Sequence, residues 1–297
     1  MAGSPDSTDV ELIKLLQRDG RQSSQLLGRR LGIHASTVQR RIGRLVESGI
    51  VRIIAVTEPV KAGLKVGASF GLRIQPGQVT RVVDNIADVQ NITFLATTTG
   101  RFDAMGFAVF RDEDDLSGFI EKKVVTLPGV LQCETFVFLH VEKGRRVQFA
   151  PTNDSPDTKL IELLQEDGRQ SATTLGKKLG VSPAIIRRRI RQLIKDGTIR
   201  TVAVVNISKI GMRLIAIIGL QVVPGKALQV QKVLAKLPHI KVAAGVTGRF
   251  DVLIWARFNS IEELSNFVEH DLGSMDGVKG SETFTCLRVA RGGLTQL

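Results

Sequence analysis

The sequence has no tyrosine, one tryptophan and two cysteines in 297 residues, and aromatic side chains make up only 5% of it. Sheets so poor in rings lack the platforms on which single-stranded bases stack, which argues against RNA as the partner. Cys133 and Cys286 sit in no CxxC or Cys/His cluster, so neither a structural disulfide nor a zinc site is expected, and a reducing cytoplasm fits. The longest candidate apolar run, Leu214–Val223, has the length of a strand, whereas a membrane span needs about 18 residues or more. Met1–Ser7 is short and polar and lacks the apolar core of a signal peptide. The four histidines, His34, His140, His239 and His270, are scattered, and no nucleophile–base pair or metal-ligand spacing is present. No catalytic residue, metal or cofactor is therefore expected. An enzyme remains the alternative in kind, because fold alone does not decide function.

What the sequence does have is localised positive charge. The net charge is +12. Residues 9–52 hold nine Lys/Arg against four Asp/Glu, and residues 157–200 hold ten against five, so these two stretches carry +10 of the +12. Excess charge confined to two compact segments points to two anion-binding surfaces. Solvated helix faces are the plain alternative.

The two segments are copies. Gln17-Arg-Asp-Gly-Arg-Gln-Ser23 recurs as Gln165-Glu-Asp-Gly-Arg-Gln-Ser171, at an offset of 148. The same offset carries Thr99-Gly-Arg-Phe-Asp103 onto Thr247-Gly-Arg-Phe-Asp251, and Glu134-Thr-Phe136 onto Glu282-Thr-Phe284. Residues 9–138 and 157–286 align without a gap, with 50 identities in 130 positions. The chain reads as a tandem duplication joined by a polar linker at 144–156. Neither the two cysteines nor the four histidines coincide between repeats.

Each repeat opens with three short helices. Leu12, Ile13, Leu15 and Leu16 form the stripe of the first, which Asp19-Gly20 stops. Ser23 or Ser24 can cap a second that runs to Gly32. A third starts at Ala35 or Ser36 and ends near Ser48-Gly49. This spacing is that of a helix-turn-helix. On a helical wheel Val38, Ile42 and Leu45 face the core. Ser36, Thr37, Arg40 and Arg44 face away, with Gln39 and Arg41 at the margins. In the second repeat Ile186, Ile190 and Leu193 are the core positions. Ala184, Ile185, Arg188 and Gln192 are exposed, flanked by Arg187, Arg189 and Arg191. Arginine suits guanine edges and glutamine suits adenine in the major groove, so double-stranded DNA is the expected partner. Arg40, Arg44 and Arg188 are the leading candidates for base or phosphate contact. Arg41, Arg187, Arg189 and Arg191 suit phosphate, as do Lys177 and Lys178. Core positions hardly differ between repeats while exposed ones do, so two unlike half-sites, an imperfect palindrome, are expected.

After Gly49 the pattern changes. Strands are predicted at 50–56 and 199–205, followed in the first repeat by strand 68–74, helix 79–86, strands 92–98 and 104–110, helix 116–125 and strand 130–139. The β-α-β-β-α-β order implies a ferredoxin-like sheet with its helices on one face. Leu214-Ile-Ala-Ile-Ile-Gly-Leu and Val252-Leu-Ile-Trp-Ala are apolar at both parities, so both sheet faces must be covered. The second repeat can cover the face that helices leave open, which predicts an intrachain pseudo-dimer with its two sheets face to face. The predicted segments are two helix-turn-helix domains at 8–56 and 157–205, two α/β domains at 64–143 and 212–291, and the linker.

The TGRFD turn lies between two predicted strands. Glycine and aspartate suit a hairpin corner, yet a corner alone does not explain five identical residues in repeats that differ elsewhere. An Asp acceptor, an Arg donor and free turn amides suit a zwitterionic ligand, so Gly100, Arg101, Phe102, Asp103 and Gly248, Arg249, Phe250, Asp251 are candidate effector residues.

Taken together, Leu15-Leu16…Asp19-Gly20-Arg21, Leu31-Gly32 before an Arg-Arg helix ending Leu45…Ser48-Gly49-Ile50, and the Gly100…Asp103 turn resemble the Lrp/AsnC (leucine-responsive, feast/famine) family of transcription regulators. The resemblance covers both repeats. It implies an α+β protein, each unit a (winged) helix-turn-helix plus a ferredoxin-like sensor domain, that binds DNA and responds to an amino acid or related small molecule. It also implies a homo-oligomer, from dimer to tetramer of such chains. Two features depart from the family's pattern: two units are fused, and the turns carry Arg101-Phe102 and Arg249-Phe250. The main rival function is an architectural DNA-compacting protein with weak sequence preference.

Overall fold

The computed structural model describes residues 5–57, 64–89, 91–144, 157–205 and 214–292; most of the interval read above as the linker lies outside them. The chain folds into two compact units, and neither is a repeat. Residues 1–62 associate with 148–212, and residues 63–147 with 213–295. Like segments of the two repeats thus pair with each other.

The first unit holds both helix-turn-helix modules. Helix α1 (Ser7–Arg18) starts in a capping box, with the Asp6 side chain accepting from the Asp9 N–H and Asp9 accepting from that of Asp6. Helix α2 (Ser24–Leu31) is capped by Ser23 and closed by Gly32 in the left-handed region. Helix α3 (Ala35–Glu47) buries Val38, Ile42 and Leu45, as the wheel predicts. Strand β1 (Val51–Thr57) follows. The second repeat supplies α6 (Thr158–Glu166), α7 (Ala172–Leu179), α8 (Pro183–Lys195) and β6 (Ile199–Val205). Helix α8 begins with Ser182 as cap and proline at its first position, where a missing N–H costs nothing.

Strands β1 and β6 pair antiparallel, Val51 opposite Val205 through Thr57 opposite Ile199. Ala203 and Val205 complete the core of the first module, and Ala55 that of the second. A reciprocal clasp reinforces this ribbon. Arg21 Nε donates to Gly168 O at 2.7 Å and its Nη2 to Gln170 O at 3.3 Å. Arg169 Nε donates to Gly20 O at 2.8 Å and its Nη2 to Gln22 O at 2.6 Å. The Gly20 and Gly168 N–H groups donate across as well, to Thr201 O and Ile53 O. The recurring Asp-Gly-Arg-Gln-Ser motif is the seam between the modules.

The second unit is built from β2 (Val66–Ile74), α4 (Val79–Ala87), β3 (Ile92–Thr98), β4 (Ala104–Phe110), α5 (Glu113–Phe119, continued by a π-helical turn over Ile120–Val124) and β5 (Val130–Lys143). Its second copy is β7 (Leu214–Val222), α9 (Ala227–Lys236), β8 (Ile240–Val246), β9 (Val252–Phe258), α10 (Ile261–Asn266, with π-helical Phe267–Leu272) and β10 (Val278–Arg291). Each copy has the ferredoxin-like strand order β5-β2-β4-β3 or β10-β7-β9-β8, and the eight strands close into one barrel. Closure comes from the last strands. Residues 130–137 of β5 pair with β2, and residues 138–143 pair with β8; β10 divides likewise between β7 and β3. The strand predicted to stop at Leu139 runs to Lys143 because the other repeat provides a partner for it.

The double apolar parity has a direct explanation here. Ala68, Phe70, Leu72 and Ile74 pack beneath α4 and α5 with Val82, Val83, Ile86 and Phe119. The opposite parity fills the barrel, where Phe107 meets Phe138 (4.9 Å, stacked) and Trp255 of the other repeat (6.2 Å, edge-on).

Candidate nucleic-acid interface and sensor turns

The recognition helices expose a graded set of side chains. Ser36, Gln39, Arg40 and Arg44 are exposed on α3, with Thr37 and Arg41 half-buried; Ala184, Arg187, Arg188, Arg191 and Gln192 are exposed on α8, with Ile185 and Arg189 half-buried. Their arginines are not equivalent. Arg41 Nη1 bonds Asp6 at 2.7 Å and the fully buried Asp9 at 2.8 Å, and Arg44 bonds the other oxygen of Asp9. Arg41 holds the Asp6 carboxyl below the usual carboxylate range, helped by the Asp9 N–H. At the equivalent place in the second module, Arg189 pairs with Asp157 at 3.5 Å. Arg40 and Arg188, which correspond across the repeats, point away with no ion pair among the described residues. A helical wheel shows one helix at a time, so the carboxylates at the start of α1 and α6 escaped it.

The two TGRFD turns join β3 to β4 and β8 to β9, and each meets the ETF segment of the other repeat. Thr99 and Thr285 exchange hydrogen bonds, as do Thr247 and Val137. Arg101 Nε donates to Glu282 at 2.8 Å, and Arg249 Nε to Glu134 at 2.5 Å. Phe102 and Phe250, 1% and 3% exposed, alternate with Phe136 and Phe284 in a closed ring of four phenylalanines, with centroid separations of 5.4–6.1 Å. Asp103 accepts from the Ile74 N–H and Asp251 from that of Val222, both at 2.7 Å. Gly100 and Gly248 hold φ of 95° and 101°, the left-handed region that favours glycine. The aromatic residues of the candidate effector set lie in the core, and the exposed rim consists of Arg101–Glu282 and Arg249–Glu134. Recurrence at one offset marked TGRFD and ETF as repeated but gave no sign that the turn of one repeat meets the ETF segment of the other.

Among the described residues no group of His, Cys, Asp or Glu is arranged to hold a metal ion, and no helix is long and apolar enough to cross a membrane. Burial pushes the Cys133 thiol up to about 11 and that of Cys286 up to about 12, which disfavours the thiolate in both.

Family models match along the chain: a winged helix-turn-helix DNA-binding domain at residues 5–52, an AsnC-type helix-turn-helix domain at 154–194, and the Lrp/AsnC ligand binding domain twice, at 68–148 and 215–292. These define a DNA-binding regulator with a small-molecule-binding domain. The chain belongs to the Lrp/AsnC family of transcription regulators. An uncharacterised HTH-type transcriptional regulator of Pyrococcus abyssi is 32% identical over 160 residues, 54% of this chain and 99% of the relative. The HTH-type transcriptional regulator Ptr1 of Methanocaldococcus jannaschii is 32% identical over 46% of this chain and 94% of its own length. FL11 of Pyrococcus furiosus is 36% identical over 46% and 90%. Each relative, matched nearly whole, accounts for about half of this chain. Among solved structures, the siroheme decarboxylase NirDL covers 96% of this chain and 93% of its own, with a TM-score of 0.64 at 14% identity; that likeness is one of fold.

Proposed function

We propose that this protein is a sequence-specific transcription regulator that lays α3 and α8 in the major grooves of an imperfect palindrome. The observation that carries the reading is the pair Arg40 and Arg188, exposed and unpaired at equivalent positions on two recognition helices held in one clasped unit. Their neighbours differ, with Ser36, Thr37 and Gln39 on one side and Ala184, Ile185 and Arg187 on the other, and this favours unlike half-sites. The barrel acts as an intrachain dimer, and chains assemble further into dimers to tetramers. Leu139 and Leu287, equivalent and 71% and 69% exposed, support that assembly. The effector is an amino acid or related small molecule, and the turns contribute Arg101 and Arg249 to its site. The protein acts in the cytoplasm and is not an enzyme.

Footprinting on the protein's own promoter region, with and without a panel of amino acids, tests specificity, operator symmetry and effector response together. The expected result is a footprint with unlike arms and a preference of about 10³ or more over random duplex. R188A should relax base preference in one arm only. Equal affinity for all duplexes would replace this reading with that of an architectural protein.

A further inference from the structure

We propose that the two recognition helices hold DNA with unequal electrostatic strength, because Asp9 is a positioning residue that withholds Arg41 and Arg44 from the phosphates. The inference rests on the DNA-binding reading above and assigns the second module as the anchor.

Asp9 is 0% exposed, and both of its oxygens receive a guanidinium, one from Arg41 and one from Arg44. Moving either arginine to a phosphate would strip a partner from a carboxylate that water cannot reach, and a buried charge left short of partners is strongly disfavoured. Arg41 is held twice, by Asp6 as well. Two aspartates thus balance two of the three arginines of α3, leaving Arg40. The second module is built differently. The position of Arg44 is taken by Gln192, so Asp157 has a single arginine of α8, Arg189, in ion-pair range. Arg187, Arg188 and Arg191 stay exposed. Arg191 Nε donates to the Arg187 carbonyl within the helix at 3.3 Å, which leaves its terminal nitrogens to meet a phosphate. Among the described residues, one uncompensated arginine on α3 therefore faces three on α8, although the sequence counts for the two helices are three and four.

Each cation that neutralises a phosphate contributes about 0.9 to the slope of log K against log salt. Affinity of the full chain for a promoter fragment and for a random duplex, measured across a salt series, reads this quantity. Replacing Arg187, Arg188 and Arg191 together by Gln should flatten the slope by about 2.7, and R40Q by at most about 0.9. R44Q, which installs the residue the second module already carries, should flatten the slope far less than R40Q does. D9N should steepen the slope by up to about 0.9 as Arg44 is released while Asp6 still holds Arg41, an outcome that a purely structural role for Asp9 does not produce. Thermal unfolding checks that each variant is folded; because D9N also removes a helix-start carboxylate, R44Q is the deciding variant. If R44Q flattens the slope by as much as R40Q, or the triple variant by no more than R40Q, the partition is wrong while DNA binding stands. If the unmodified chain binds neither duplex, the DNA-binding reading itself falls.

Discussion

Removing Phe102 should unfold the barrel before it affects any ligand. The ring is 1% exposed, lies 6.1 Å from Phe136 and 5.4 Å from Phe284, and covers Gly71 so closely that a Cβ there would lie 2.6 Å from it. Truncating a buried phenylalanine to alanine costs about 3–5 kcal/mol. The two ring pairs, each worth about 0.5–1.5 kcal/mol beyond area burial, place F102A toward the upper end. For a unit of this size, at about 2–4 °C per kcal/mol, the melting temperature should fall by roughly 6–20 °C. Trp255 is the only tryptophan, and it sits 1% exposed inside the barrel, so its fluorescence during urea unfolding reports on this unit alone. F250A should behave alike, being the pseudo-symmetric partner. If both variants stayed within about 1 kcal/mol of the unmodified chain yet lost an effector response, the four-ring seal would be refuted and the phenylalanines would belong to a ligand site.

Three further outcomes follow from the packing. R21A leaves the Gly168 and Gln170 carbonyls without their donor and should destabilise the paired helix-turn-helix unit by about 1–3 kcal/mol, read by chemical denaturation; R21K should not restore it, since an ammonium lacks the planar fork. G219A places a Cβ 2.6 Å from the Phe250 ring and should lower barrel stability by about 1–3 kcal/mol through overpacking, whereas G180A, at a helix cap with φ of 69° in the other unit, should strain the helix-turn-helix unit and leave the barrel unchanged. Asp6 has a depressed folded pKa, so its contribution is fully present above the ordinary value of 3.8 and is lost as pH falls through the lower folded value; carboxyl NMR titration should show Asp6 moving up toward the ordinary range in R41Q, with the Asp9 N–H still holding it below.

Much of the fold could be read in the chain because periodicity reports which face of an element is buried. Ile92–Thr98 and Ala104–Phe110 coincide with the predicted strands, and the both-parity runs at 214–220 and 252–256 demanded a second layer. What escaped were contacts between elements far apart in sequence. Nothing local in Leu139–Lys143 announces a partner strand 100 residues away, and nothing local in Arg21 announces a carbonyl at Gly168. The same limit governed the candidate sites. The wheel separated Arg40 from Val38 correctly as exposed against buried, but it could not distinguish Arg40, which is unpaired, from Arg44, which reaches across to another helix. A turn position gives no hint that Phe102 is buried; its neighbour Phe284, contributed by the other repeat, explains why it is.

The divided strands β5 and β10 also bear on the company this protein keeps. An unpaired strand end is a template that another chain can pair with. Here the end of β5, residues 138–143, is already paired with β8 of the same chain. Both strands belong to one polypeptide, so this pairing is intramolecular and needs no second copy. Fusion therefore settles the pairing of these strand ends within one chain, and the two halves are free to diverge in sequence without each having to match a copy of itself.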